Sequence, residues 1–361
     1  MTTHSVRMLV FIGSYAEASD SGVYVYSFDG ASGELALLDQ VSGLKNPTFL
    51  NLDAARLKLY SIEETETEAG RSGGAVSFSI DPQQGTISKL NQAVTVDSPT
   101  CHIQRDADDR YLIVSSYHGG QVGLVSLNED GTIGKLLDVK QHEGNSVHPE
   151  RQEQPHPHSA FFSPDYKYVY ISDLGLDRIV AYSIDAAHGT LKQCGETVIH
   201  PGAGPRHLAF HPDGKYAFVI NELDSTITSL RYEADSGRLL PFETVTTLPV
   251  DYNGDNSCAE ITVSRDGNFL YGSNRGHDSI VVYSIDKSSG KLTLVEHVST
   301  EGKHPRHFAL TPDGDFLIAA NRDTDNLTVF RVNQDTGKLT YTGNSFSVSK
   351  PVCVQMAYFS V

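Results

Sequence analysis

Apolar residues alternate with polar ones in short runs along this chain, and the runs come in sets. The sets begin as NPTFLNLDAARLKLYSIEE at Asn46, SPTCHIQRDADDRYLIVSSYHGG at Ser98, HPHSAFFSPDYKYVYISDLG at His156, GPRHLAFHPDGKYAFVINEL at Gly204, SCAEITVSRDGNFLYGSNRG at Ser257 and HPRHFALTPDGDFLIAANRD at His304. Each contains two apolar runs about a polar turn, as in a strand pair. A third run follows each, for example RIVAYSIDAAHG or SIVVYSIDKSSG, rich in β-branched and aromatic residues and ending on Asp and Gly. A short fourth run such as KLTLVEHV completes the set. The helical period of 3.6 is absent throughout.

The six sets start 52, 58, 48, 53 and 47 residues apart. Four strands repeated near 50 residues predict a β-propeller, whose radial packing leaves only short edges. The chain ends supply a further unit. KPVCVQMAYFSV from Lys350 reads as an innermost strand without followers, and MLVFIGSY, GVYVYSFDG and ELALLDQVS read as three strands without a leader. The prediction is an all-β, seven-bladed β-propeller with four antiparallel strands per blade. Its ring is closed by pairing the N- and C-terminal strands, and residues 1–361 form one domain.

In a blade, the turn leading into the first strand and the turn leaving the second lie on one face. Chemistry-bearing residues in those turns therefore gather at one mouth of the central channel. The lead-in position holds His158, Arg206 and Arg306, and the position after it holds His207, Glu260 and His307. The exit holds Glu222, Arg275, Arg322 and, from the N-terminal strand, Tyr15. A repeat kept for packing alone repeats its residues from blade to blade; these positions vary and are ionisable. The Pro-Asp-Gly at 212–214 and 312–314 is a turn signal without chemistry. Arginines at a propeller mouth also have a structural reading, as ties between blades. Cys101 and Cys353 read as small core residues.

Charge sharpens the picture. With 28 Lys and Arg against 45 Asp and Glu, the net charge is −17. That disfavours nucleic acid, whereas an arginine-rich mouth on an acidic molecule suits a small anion, since the guanidinium fork matches carboxylate or phosphate. No segment is long enough to span a membrane, and the N-terminal apolar run is too short for a signal peptide, so a cytoplasmic location is expected. Four cysteines without CxxC spacing fit free thiols there. The loop HEGNSVHPERQEQPHPHS carries His142, His148, His156 and His158. It has neither cysteine nor a helical i, i+4 pair, so it is expected to be a lid with only His158 reaching inside, against a metal-binding alternative. No cofactor is expected, and the oligomeric state is open.

PHPHS at 155–159, GPRH at 204–207, NEL at 221–223, SNRG at 273–276 and HPRHF at 304–308, in this order, resemble the seven-bladed propeller lactonase family. It includes bacterial propeller-type 6-phosphogluconolactonases and fungal 3-carboxy-cis,cis-muconate lactonizing enzymes. The resemblance spans nearly the whole chain and implies catalytic roles for His158, Arg206, Glu222 and Arg275. It implies hydrolysis of 6-phospho-D-glucono-1,5-lactone, a pentose phosphate step, with Glu222 or His158 activating water and arginines holding phosphate and oxyanion. His207, Arg306, His307, Arg322, Glu260 and Tyr15 are then expected to bind substrate. Without a GxSxG motif, direct attack by water is expected rather than an acyl-enzyme. A muconate-type cycloisomerase, a metal-dependent sugar lactonase and a non-enzymatic interaction propeller are the alternatives.

Overall fold

The computed structural model describes residues 6–68 and 70–361, so the first five residues of the N-terminal run lie outside it. The described chain forms seven four-stranded sheets. Innermost in each blade are Leu50–Asp53, His102–Arg105, Pro157–Phe162, Pro205–Phe210, Ser257–Val263, Pro305–Leu310 and Pro351–Ser360. The last of these pairs antiparallel with Val6–Ser14, so the two ends of the chain close the ring in a shared sheet as the pattern predicts. Among the described residues the one helical element is a 3-10 turn, Arg322–Thr324. Among the described residues no helix is long and apolar enough to cross a membrane.

The apolar positions of one blade meet those of the next. Phe218, Ile220 and Ile227 of the fifth blade pack on Ile261, Leu270 and Val281 of the sixth, all fully or almost fully buried. Each such side chain contributes about 1.5–3 kcal/mol by leaving water. The outermost strands are the wettest, as in Thr190–Val198, where five consecutive residues are exposed. Cohesion therefore runs around the ring, and the inner strands are free to carry polar side chains into the channel.

How they do so was not legible from alternation. Pro205 pairs with Asn221 and His207 with Ile220, so Arg206 is an extra residue without a partner. The same β-bulge sets off His158 in the fourth blade, Arg306 in the seventh and Val352 beside the N-terminal strand. A bulge breaks the alternation of sides and re-aims its extra side chain. Two consecutive residues, Arg206 and His207, thereby both turn into the channel at different depths. The asparagines ending the second strands are scaffold. Asn221 is buried and donates from Nδ2 to Thr226 and Thr228 hydroxyls at 2.9 and 3.0 Å, and Asn321 Nδ2 donates to the Thr300 carbonyl and the Thr328 hydroxyl at 3.0 and 3.1 Å.

Candidate active site

The mouth formed by the bulged lead-ins encloses a cavity of about 690 Å³. Among the described residues its charged lining comprises Arg71, Arg151, Arg275 and Arg306 against Glu64 and Glu222, a positive excess on an acidic molecule. Tyr15, Tyr117 and His158 also line it.

Glu222 is the hub. Its Oε2 accepts from Arg206 Nε at 3.0 Å and from an Arg275 terminal nitrogen at 2.7 Å, while Oε1 accepts from Arg151 at 2.6 Å. Burial opposes its charge, but Arg275, Arg206 and Arg151 outweigh burial and hold the carboxyl well below the usual carboxylate range. A carboxylate so held is a poor proton acceptor and a good organiser. Arg206 is 2% exposed and also donates to the Ala259 carbonyl at 2.6 Å, so it lies behind Glu222 and does not line the cavity. Arg275 bonds the Cys258 carbonyl at 2.6 Å and does line it. Burial, then the neighbouring Arg275 and Arg306, draws Arg206 below its ordinary value.

His158 is 4% exposed. Burial, then Arg206, His207, Arg306 and Arg275, pushes its pKa well below the ordinary imidazole value, so the ring is neutral. Its Nδ1 is buried without a partner, which leaves Nε2 to face the cavity. Arg306 is half-buried in the lining, carries its guanidinium 5.8 Å from the Tyr15 ring and makes no ion pair among the described residues. It is a cation at hand for a ligand. Cys101 lines the cavity too, but burial pushes its thiol up to about 12, which leaves it un-ionised.

Four expected substrate contacts sit elsewhere. His207, His307 and Glu260 lie deeper, in a plug with Phe49, His102 and Phe161 whose ring centroids are 4.1–5.9 Å apart. Both histidines bond Glu260 Oε2 at 3.0 Å. They are one position past the bulge and so point below the mouth. Arg322 turns away in the 3-10 turn, binds Asp323 at 2.6 Å and borders a separate depression that Tyr15 shares.

The lid expectation changes as well, because His158 is not alone in reaching inside. Arg151, in the middle of the His-rich loop, donates to Glu222 and, at 3.1 Å, to the Tyr117 hydroxyl. The histidines build the loop that presents it. His142 bridges Asp173 and the Tyr182 hydroxyl at 2.6 and 3.0 Å, and His156 stacks on Tyr117 with centroids 4.1 Å apart. His148 Nδ1 accepts the Glu150 and Arg151 amides, which turns the chain inward at Arg151. Among the described residues no three His, Cys, Asp or Glu side chains are disposed to hold a metal ion. Nothing in the sequence signalled Arg151, a cation in a Pro-rich loop outside the repeat.

Comparison with known proteins fits this geometry. The family profile described as "Lactonase, 7-bladed beta-propeller" matches residues 9–356. A 6-phosphogluconolactonase of Bacillus subtilis is 36% identical over 307 residues, covering 85% of this chain and 86% of that protein. One from Formosa agariphila is 34% identical over 315 residues, covering 84% and 86%. A solved periplasmic gluconolactonase of Pseudomonas aeruginosa superposes with a TM-score of 0.90 at 32% identity, covering 99% of this chain and 100% of that one.

Proposed function

Because the chain belongs to the seven-bladed β-propeller lactonase family, we propose that it hydrolyses 6-phospho-D-glucono-1,5-lactone to 6-phosphogluconate. The observation that carries this reading is a neutral, buried imidazole facing a cavity that also holds an arginine without an ion pair among the described residues. His158 Nε2 takes a proton from water as the water oxygen bonds to the lactone carbonyl carbon. Arg275, fixed by Glu222 and the Cys258 carbonyl, faces the oxyanion that forms. The ring C–O bond then breaks, and His158 returns its proton to the departing oxygen. Arg306 holds the phosphate, with Tyr15 packed beneath its guanidinium. Glu222 is an organiser of Arg206, Arg275 and Arg151 in this scheme and not the base.

A phosphorylated sugar lactone as substrate supports a cytoplasmic location. The test is hydrolysis of freshly generated 6-phosphogluconolactone against its spontaneous background, with glucono-1,5-lactone in parallel. We expect catalysis with preference for the phosphorylated lactone, and a loss of kcat of ~10²–10⁴ in His158→Gln. Background rates with both lactones would sink the proposal. Turnover of 3-carboxy-cis,cis-muconate instead would replace it with the cycloisomerase reading.

A further inference from the structure

The scheme above uses Nε2 of His158 and leaves a set of buried nitrogens without purpose. Nδ1 of His158, Nε2 of His207 and Nε2 of His102 are all sealed from solvent with no hydrogen-bond partner among the described residues. The His207 ring lies between the other two, its centroid 5.3 Å from that of His158 and 5.5 Å from that of His102. A buried polar nitrogen left without a partner destabilises the fold. Three around a single ring require a common explanation.

The tautomers follow from the visible partners. His102 Nδ1 accepts the Ala160 amide at 3.3 Å, so its proton is on Nε2. His307 Nδ1 accepts the Val354 amide at 3.3 Å, so its Nε2 donates to Glu260. Glu260 Oε1 accepts the Ile261 amide at 3.0 Å, and Oε2 accepts from His307 and from His207 Nδ1. His207 Nε2 is then a bare lone pair. His158 must carry its proton on Nδ1 if Nε2 is to act as a base. Two N–H donors and one lone pair thus lie on neighbouring rings, a set that a single buried water satisfies with three hydrogen bonds.

We propose that His207 and Glu260 are positioning residues for His158, joined to it through a water bound by His158 Nδ1, His102 Nε2 and His207 Nε2. The inference rests on the reading of His158 as the base. The chain holds His158 in the tautomer that leaves Nε2 free. It also places a carboxylate behind the imidazolium that forms as water is deprotonated. No proton leaves His158 along this chain; it returns from Nε2 to the departing oxygen. The charges facing His158 are otherwise Arg206, Arg275 and Arg306, with Tyr117 and the Cys101 thiol beside it. Glu260 faces His207, His307 and Arg206. Glu222, which lines the same cavity, already pairs with Arg206 and Arg275, and Glu260 is the second anion, joined to His158 at one remove.

Glu260→Gln tests the inference. We expect kcat to fall roughly tenfold to a hundredfold with KM unchanged, as when a supporting partner is removed. Loss of the carboxylate must also lower the His158 pKa further, so the acid limb of kcat/KM moves to lower pH by roughly one unit. Wild-type kcat and an unmoved limb, with His158→Gln inactive, would overturn this inference and leave the base standing. Full activity in His158→Gln would instead remove the base itself. If Glu260→Gln does not fold, imidazole 15N NMR of the wild type decides. An Nδ1–H tautomer for His158 supports the chain, and an Nε2–H tautomer overturns it.

Discussion

The two Pro-Arg-His segments, 204–207 and 304–307, are built on the same backbone and end in different chemistry. Gly204 and His304 both have left-handed φ, 66° and 60°. Each N–H is received by an aspartate Oδ1 from the preceding blade, Asp177 at 2.7 Å and Asp278 at 2.8 Å. Each proline pairs with the asparagine that ends its second strand, and each arginine is the bulge. The next residue along that exit separates them. Glu222 draws Arg206 into a buried network, whereas Arg322 offers Arg306 no carboxylate. One motif thus yields a structural cation and an available one, and the exit residue decides which.

The largest effect is expected from breaking the buried member. Arg206→Ala takes one of three arginine donors from Glu222 and leaves the Ala259 carbonyl without its guanidinium, and such a loss from a buried charged network costs about 3 kcal/mol. Denaturant unfolding should show that loss, together with a fall in kcat as Arg275 and Arg151 re-pair with Glu222. Unchanged stability would mean that the two arginines are not differentiated as described.

Arg306→Ala should do the reverse. Stability stays within about 1 kcal/mol, because no ion pair is lost. KM for the phosphorylated lactone rises roughly ten- to a hundredfold, the worth of one charge-assisted hydrogen bond, and KM for glucono-1,5-lactone does not move. A similar rise for both lactones would put the phosphate elsewhere.

The histidines of the two segments share one fate, and pH reads it. Burial pushes His207 well below its ordinary value and His307 to about 4, with Glu260 resisting at His307. The unfolded chain therefore binds protons below about pH 6.5 that the folded chain refuses, so stability falls as pH falls. Each such imidazole contributes about 1.4 kcal/mol per pH unit below its unfolded value, until pH reaches the folded one. His207→Gln should flatten the slope by one such share in unfolding curves taken from pH 7 to 5. An identical slope in the variant would contradict the neutral plug.

The repeat made the propeller legible, because four-strand periodicity and an incomplete unit at each end leave one way to close a ring. It also made His158, Glu222 and Arg275 legible as neighbours, since lead-in and exit share a face. What it hid was depth. Alternation places successive residues on opposite sides, and the bulge cancels that rule where the chemistry sits. So His207, Glu260 and His307 were expected beside the arginines and lie beneath them. His102, whose ring packs against His207 and Phe49 in the same plug, was not among the expected site residues. Arg151 belongs to no repeat position, and its approach to Glu222 depends on the His148 turn, a loop geometry that periodicity does not encode.

The smallest effect tests the exit residue itself. Arg322 differs from Glu222 in charge, and also in having left the mouth. Its side chain is 30% exposed, bonds Asp323 and stacks no ligand-facing group of the cavity. An exposed pair of this kind is worth ~0–1 kcal/mol. Arg322→Ala should therefore leave kcat and KM for the phosphorylated lactone unchanged and move stability by about 0.5 kcal/mol or less. A rise in KM comparable to that of Arg306→Ala would show that Arg322 swings into the cavity when substrate binds. Arg306 and Arg322 would then both serve the ligand, while Arg206 serves Glu222.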